Sequence, residues 1–242
     1  KSLQDAEKEL TGAKELLDSG DVELIELAKI EVTANQDKIT ELGNDSSING
    51  ILIQMPLPKG LNEDSVIEMI PTNKDVDGLK EQNLGKLIVG NDVLRPCTPL
   101  GVMKLIKFYN LETSGKKALV IGRSRLVGMP QVIMFGSKGI DCTVTLAHSR
   151  TKNLDELISE SEIVVPAIGV PNIINAKNVR KGAILLDVGI SSDGNGIQGD
   201  VDFNGVDGIA KAVTPMPGGT GPMTVACLLE NTMKAAQLQG II

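Results

Sequence analysis

Lys117-Ala118-Leu119-Val120-Ile121-Gly122-Arg123-Ser124-Arg125-Leu126-Val127-Gly128 decides how the rest of the chain is read. Four apolar residues run into a glycine, and a second glycine stands where a helix should begin. A short apolar run ended by glycine reads as a buried strand, and a glycine turn before a helix lets backbone N–H groups and the helix dipole face a pyrophosphate. The string is not Gly-x-Gly-x-x-Gly: Ser124 takes the place of the second glycine and Gly128 comes one residue late. Alone, it equally describes a tight turn with solvent-facing arginines.

Its surroundings favour the nucleotide reading. Residues 118–121, 143–146, 163–167 and 183–188 are short apolar, β-branched-rich runs, several of them separated by helix-length intervals. Such alternation predicts a parallel sheet with crossover helices, an α/β fold. The second run leads into Ala147-His148-Ser149-Arg150, where a NAD-preferring site usually offers an acid to the ribose hydroxyl. A hydroxyl and a cation stand there instead. With Arg123 they point to a 2′-phosphate, and so to NADP.

Residues 1–43 are charged, with apolar positions at Leu16, Leu17, Leu24, Ile25, Leu27 and Ile39 that predict helices separated at Gly20. Asn49-Gly50-Ile51-Leu52-Ile53-Gln54 reads as a buried strand, stopped by Met55-Pro56-Leu57-Pro58. Gln54 ends that strand either facing a cleft or as a satisfied core amide. A short helix is expected over residues 64–70, then a polar turn-rich stretch, Thr72-Asn73-Lys74-Asp75-Val76-Asp77-Gly78-Leu79, on the surface or lining a cleft. Asp75 and Asp77 serve equally well as turn formers. Thr98-Pro99 opens a helix to Tyr109, with threonine as its cap and proline at its first position, expected to link two domains. The loop Pro215-Met216-Pro217-Gly218-Gly219-Thr220-Gly221-Pro222 is stiff and exposes backbone, which suits close approach by a flat ligand and equally describes a merely rigid loop. A final helix is expected over residues 223–237.

Among 242 residues, 41% hydrophobic and 23% charged content is ordinary for a globular protein. A net charge of −7 and 2% aromatic content disfavour nucleic acid as a partner. No apolar run reaches the roughly 20 residues of a membrane helix, and the acidic start lacks a signal-peptide core, so a cytoplasmic protein, or one mature within an organelle, is expected. Three scattered cysteines, Cys97, Cys142 and Cys227, suit reduced thiols. Cys227 falls in an apolar helix and is expected in the core. With His148 the only histidine, no metal site is expected.

The chain resembles the methylenetetrahydrofolate dehydrogenase/methenyltetrahydrofolate cyclohydrolase family, the bifunctional FolD type. The resemblance rests on Gly50 through Pro58, Lys74 through Leu79, Pro96-Cys97-Thr98-Pro99, Val120 through Ser124 with Val127-Gly128, His148-Ser149-Arg150-Thr151, Asp187 through Ile190, Gly199-Asp200-Val201 and Thr214 through Thr224. It implies two α/β domains around a folate cleft, with a folate-binding catalytic domain formed by residues 1–98 and 223–242 and a Rossmann-like NADP-binding domain over residues 99–222. Gln54 and Asp77 would be the catalytic pair in that cleft, Asp77 accepting from the pterin amino edge, with Pro217, Gly218 and Gly219 flanking the substrate. Gly122, Arg123, Ser124, Val127 and Ser149 would hold the cofactor phosphates, with Ile190 and Thr224 at the nicotinamide end. A homodimer acting on tetrahydrofolate derivatives is implied as well.

One departure stands out. The family carries Tyr-x-x-x-Lys on an upstream helix, but Tyr109, the only tyrosine, lies elsewhere; Leu10-Thr11-Gly12-Ala13-Lys14 keeps only the lysine spacing, and Lys29 is a second candidate. A dehydrogenase without cyclohydrolase activity, or a silent folate- or nucleotide-binding paralogue, is therefore the alternative expectation.

Overall fold

The computed structural model describes residues 26–30, 36–57, 61–192 and 196–242. Its centre is a five-stranded parallel sheet ordered β4-β3-β5-β6-β9, with β3 Lys117–Ile121, β4 Thr143–Ala147, β5 Ile163–Pro166, β6 Ile184–Leu185 and β9 Ala212–Val213. The first three match the expected runs, and β6 keeps only two residues of its predicted six.

Along β3 the side chains alternate between two cores, as the two-residue period of a strand dictates. Leu119 and Ile121 join Ile158, Val164, Ile174 and Leu185 on one face. Ala118 and Val120 join Val102, Ile106, Phe135, Val165 and Leu186 on the other. Both faces of β3 and β5 are therefore covered, which is why those strands read as continuous apolar runs, whereas the edge strand β4, Thr-Val-Thr-Leu-Ala, alternates between exposed and half-buried residues up to Ala147.

A second unit precedes the sheet. Its strands β1, Glu26–Ile30, and β2, Ile48–Ile53, pair in parallel, joined through α1, Gln36–Asn44. Ile39, Ile48, Ile51, Ile53, Val66 and Ile70 form its core, the last two from in or beside α2, Glu63–Glu68. The expectation of helices across residues 1–43 holds at α1 and fails at β1. Over five residues a strand and a helix turn look alike in sequence, and pairing with β2 settles the matter. Gly20 lies outside the described residues.

Two helix starts also differ from expectation. α4, Cys97–Phe108, begins with Pro96 as its cap rather than Thr98. α7, Thr220–Leu238, begins three residues before the expected start at residue 223, taking Pro222 into its first turn, where a proline costs no helical hydrogen bond. α4 and α7 pack closely, and Gly101 permits it: a Cβ there would lie 3.1 Å from Met223 Cβ. Cys227 is fully buried in α7, as expected. The remaining helices are α3, Glu81–Ile88, absent from the sequence reading, α5, Gly128–Gly136, and α6, Leu154–Glu160; β7, Ser191–Ser192, and β8, Ile197–Gln198, form a small hairpin. Among the described residues no helix is long and apolar enough to cross a membrane.

Candidate active site

The turn after β3 has the geometry its glycines predict. Gly122 adopts φ 121°, and a Cβ there would meet Ala167 O at 2.7 Å. Gly128 is more constrained still: a Cβ would fall 1.9 Å from Gly122 O, so the first residue of α5 must be glycine for the turn to close. Ser124 ties the turn internally, its Oγ accepting from Val127 N at 3.1 Å and its carbonyl from Met129 N at 3.1 Å. Arg123 and Ser124 are exposed at its rim, and Val127 is half-buried as the residue before α5. At the end of β4, Ser149 and Arg150 are exposed too, while His148 Nδ1 accepts from Arg150 N at 3.2 Å. Glycines that leave room for backbone approach, a helix N-terminus and exposed guanidinium and hydroxyl groups fit a phosphorylated dinucleotide.

The edge of the sheet beyond the turn is shaped by two buried carboxylates that sequence reading did not single out as functional. Asp187 accepts backbone N–H groups from Gly189, Asp200 and Val201. Asp200 accepts from Ile168 and Gly169 in the loop after β5. The two glycines make room for them: a Cβ on Gly189 would fall 1.9 Å from Asp200 Cγ, and one on Gly199 2.0 Å from Asp187 Oδ2. Burial, with a smaller push from the Asp200 charge, raises the Asp187 carboxyl to about 6. The pair thus fixes the loops bearing Ile168 and Ile190, and leaves Ile190 61% exposed as an apolar surface.

The 214–224 loop docks onto the same strand. Thr220 Oγ1 donates to Asp187 O at 2.7 Å, and Thr214 Oγ1 accepts from Asp187 N at 2.7 Å. Gly219 is wedged against Pro215 O, 2.4 Å from where its Cβ would sit, whereas Gly218, at φ 103°, has open space beside it. Pro217 and Gly218 are exposed, and Pro217 follows a cis peptide bond, as does Pro56. Thr224 is half-buried, its Oγ1 3.2 Å from that of Thr98 at the start of α4.

Facing these elements is the loop of residues 74–80, expected on a surface or cleft wall. In fact Lys74, Asp75 and Val76 are buried. Lys74 Nζ donates to Gly43 O and Asp45 O, and burial lowers its pKa, partly offset by Asp45. Asp75, 1% exposed, accepts from Leu79 N, Lys80 N and Asn83 Nδ2 at 3.2, 2.8 and 2.7 Å. Three donors on one buried carboxylate make it the strut of the loop rather than a reactive group. Gly78 lies at φ 65°, where a Cβ would meet Arg95 C at 2.5 Å, so the loop and residues 94–96 cross in contact.

Asn231 of α7 clamps that crossing. Its Nδ2 lies 2.8 Å from both Val76 O and Arg95 O, and 3.5 Å from Cys97 Sγ. Asp77 is left at the loop's edge, half-buried, with the Cys97 N–H 3.4 Å from its Oδ1. Desolvation dominates its surroundings and, with the Asp75 charge, lifts its carboxyl to about 6 against the help of Cys97. The Cys97 thiol is pushed far up by burial first and by the Asp77 charge second, so it stays neutral. Gln54 stands close in the fold: Ile51 bridges Asp75 in parallel, with Ile51 N donating to Lys74 O at 2.7 Å. Gln54, three residues beyond Ile51, and Asp77, two beyond Asp75, therefore leave this parallel pairing in the same direction. Gln54 is exposed, its amide donating to Met55 O at 3.1 Å, so it is not the satisfied core amide of the alternative reading.

Of the candidate lysines, Lys14 lies outside the described residues, and Lys29, on β1, has its backbone paired with Leu52 of β2. Among the described residues no group of three or more His, Cys, Asp or Glu is arranged to hold a metal.

Residues 19–77 match the family described as tetrahydrofolate dehydrogenase/cyclohydrolase, catalytic domain, and residues 96–240 match its NAD(P)-binding domain. The chain belongs to the tetrahydrofolate dehydrogenase/cyclohydrolase family. Among its relatives, a protein named bifunctional protein FolD from Wolbachia pipientis wMel is 49% identical over 205 residues, 84% of this chain and 70% of that one. Another of that name from Pelagibacter ubique is 50% identical over 198 residues, 82% of this chain and 70% of the relative. In three dimensions it is similar to a 5,10-methylenetetrahydrofolate dehydrogenase of the silkworm Bombyx mori, with TM-score 0.81 and 42% identity over 85% of this chain and 73% of that one. A Trypanosoma brucei N5,N10-methylenetetrahydrofolate dehydrogenase-cyclohydrolase, solved with NADP cofactor and inhibitor, gives TM-score 0.80 and 30% identity, covering 87% of this chain and 75% of that one. The family expected from the sequence and the two-part α/β fold are thus borne out.

Proposed function

We propose that this enzyme oxidises 5,10-methylenetetrahydrofolate to 5,10-methenyltetrahydrofolate with NADP and hydrolyses the product to 10-formyltetrahydrofolate. The observation that supports the reading is the parallel bridge between Ile51 and Asp75, beyond which Gln54 and Asp77 follow on neighbouring segments. The names of the relatives favour both activities over a dehydrogenase alone or a silent paralogue.

In this reading Asp77, as a carboxylate, accepts from the amino edge of the pterin, and its rigid loop sets the position of the methylene carbon. Pro217, Gly218 and Gly219 flank the ring system, with the open space beside Gly218 admitting a flat ligand. Gly122, Arg123, Ser124, Val127 and Ser149 hold the dinucleotide phosphates, and Ile190 and Thr224 lie at the nicotinamide end. NADP supplies the hydride acceptor. Hydride loss leaves a cation shared by two nitrogens and needs no proton acceptor, so alignment is the protein's contribution to the first step. Water addition does need proton handling, and in this reading Gln54 orients the water. The general base of that step falls to an upstream lysine, Lys14 in this proposal.

The division into a folate unit of residues 1–98 and 223–242 and a nucleotide unit of residues 99–222 is part of the same reading, supported by the clamp of Asn231 onto Val76 and Arg95. So are a homodimer and a cytoplasmic setting. Incubation with 5,10-methylenetetrahydrofolate and either NADP or NAD, followed at the methenyl absorbance, tests the chemistry. Rise of that absorbance with NADP and its enzyme-dependent decay are expected; no rise refutes the dehydrogenase, and a rise without catalysed decay refutes the cyclohydrolase.

A further inference from the structure

Arg125 sits inside the nucleotide turn, where a cation would ordinarily be turned toward phosphate, yet its side chain is 19% exposed and all its bonds go the other way. Nε donates to Leu79 O at 2.6 Å, Nη1 to Asp64 Oδ1 at 2.9 Å, and Nη2 to Glu68 Oε1. The Leu79 carbonyl is two residues past Asp77. Glu68 also receives the Glu81 N–H at 2.8 Å and pairs with Lys80, so the segment following Leu79 is gripped as well.

At its other end Arg125 is held by the turn's own bonds, Val127 N to Ser124 Oγ and Met129 N to Ser124 O. A lone exposed ion pair would carry little coupling, and the Asp64 partner is indeed exposed. The shielded fork on a carbonyl and on Glu68 is different, because a planar guanidinium transmits orientation as well as charge.

We propose that Arg125 is a positioning residue that couples the nucleotide turn to the folate-side loop, so that a dinucleotide on residues 122–128 and a folate against Asp77 strengthen each other's binding. This rests on the function proposed above. A ligand that orders the turn also orders Leu79 and, through it, Asp77; by linkage the effect is equal in both directions.

Calorimetric titration of NADP into the full chain, with and without saturating tetrahydrofolate, reads the coupling, because that pair supports no turnover. In the wild type, tetrahydrofolate is expected to tighten NADP binding by about fivefold or more, the lower end of usual coupling. Arg125→Ala is expected to bring this ratio to about one. Arg125→Lys is expected to give an intermediate ratio, since an ammonium reaches the carboxylates but cannot reproduce the fork, and Glu68→Gln provides a second variant should Arg125→Ala fold poorly. A ratio in Arg125→Lys and Glu68→Gln equal to that of the wild type, or a wild-type ratio of one, overturns the coupling alone. Failure of the wild type to bind tetrahydrofolate at all overturns the functional reading and the coupling with it.

Discussion

Residues 122–128 and residues 74–80 meet where Arg125 donates to the Leu79 carbonyl, and they are built by different means. The nucleotide turn is made of backbone: two glycines admit close chain approach, the Ser124 hydroxyl closes the loop, and the side chain of Arg123 is exposed at its rim. The folate-side loop is made of buried polar side chains, with Asp75, Asn83 and Asn231 together holding five backbone N–H or C=O groups: two N–H groups at Asp75 and the carbonyls of Thr72, Val76 and Arg95. A phosphate needs donors and charge, which backbone and a helix end supply. A pterin edge needs one carboxylate at one place, which only a rigid scaffold supplies.

Mutation should expose the difference, in order of expected effect on stability. Gly128→Ala puts a methyl group against Gly122 O with no flexible neighbour to yield, so a loss of about 4 kcal/mol or more is expected in denaturant unfolding, together with NADP binding. A variant as stable as wild type would show that the turn is not the rigid device described. Asp75→Ala removes one acceptor from three donors, two of them backbone N–H groups; about 3 kcal/mol should be lost, with folate KM rising more than NADP KM. Equal losses for the two ligands would blur the contrast between loop and turn.

Asp77→Asn should act in the opposite direction on stability. Its folded carboxyl is raised to about 6 from 3.8, so its favourable contribution is present below about pH 4 and is lost as pH rises through about 6, where the charge is carried at a desolvation cost. The amide removes that cost, and a gain of about 1–2 kcal/mol is expected at pH 8, shrinking toward pH 4, while folate turnover collapses. The wild-type kcat/KM for folate should likewise fall as pH drops below about 6, where Asp77 takes up its proton; a flat profile between pH 5 and 7 would remove Asp77 from the pterin. Smallest in stability is Arg123→Ala. Melting should move by less than about 0.5 kcal/mol, yet NADP should bind about tenfold more weakly with NAD little affected. Equal weakening of both cofactors would locate Arg123 away from the 2′-phosphate.

The two regions also differ in how far they could be read in advance. Gly122 and Gly128 were legible because a strand, a glycine and a helix start lie within one short stretch. Asp77 was visible only as a turn former until the resemblance supplied a role, and Asp75 and Lys74, expected at a surface or cleft wall, are buried. Arg125 left no signal at all: nothing in the sequence distinguishes a guanidinium pointing at phosphate from one that crosses to Leu79, 46 positions earlier. The strand at Glu26–Ile30 was missed because five residues hold too little periodicity to separate it from a helix.

By itself, then, the sequence determined the parallel sheet, the glycine turn after β3 and the family, all of which depend on local runs and their spacing. The tertiary structure decided which polar residues are struts and which are free to act. Asp75, Asp77, Asp187 and Asp200 are one residue type in the chain; the number of N–H groups that converge on each, from the same loop at Asp75 and from segments 13 to 32 positions away at Asp187 and Asp200, is what makes three of them scaffold and leaves Asp77 at the edge of the site. Such convergence is a property of packing.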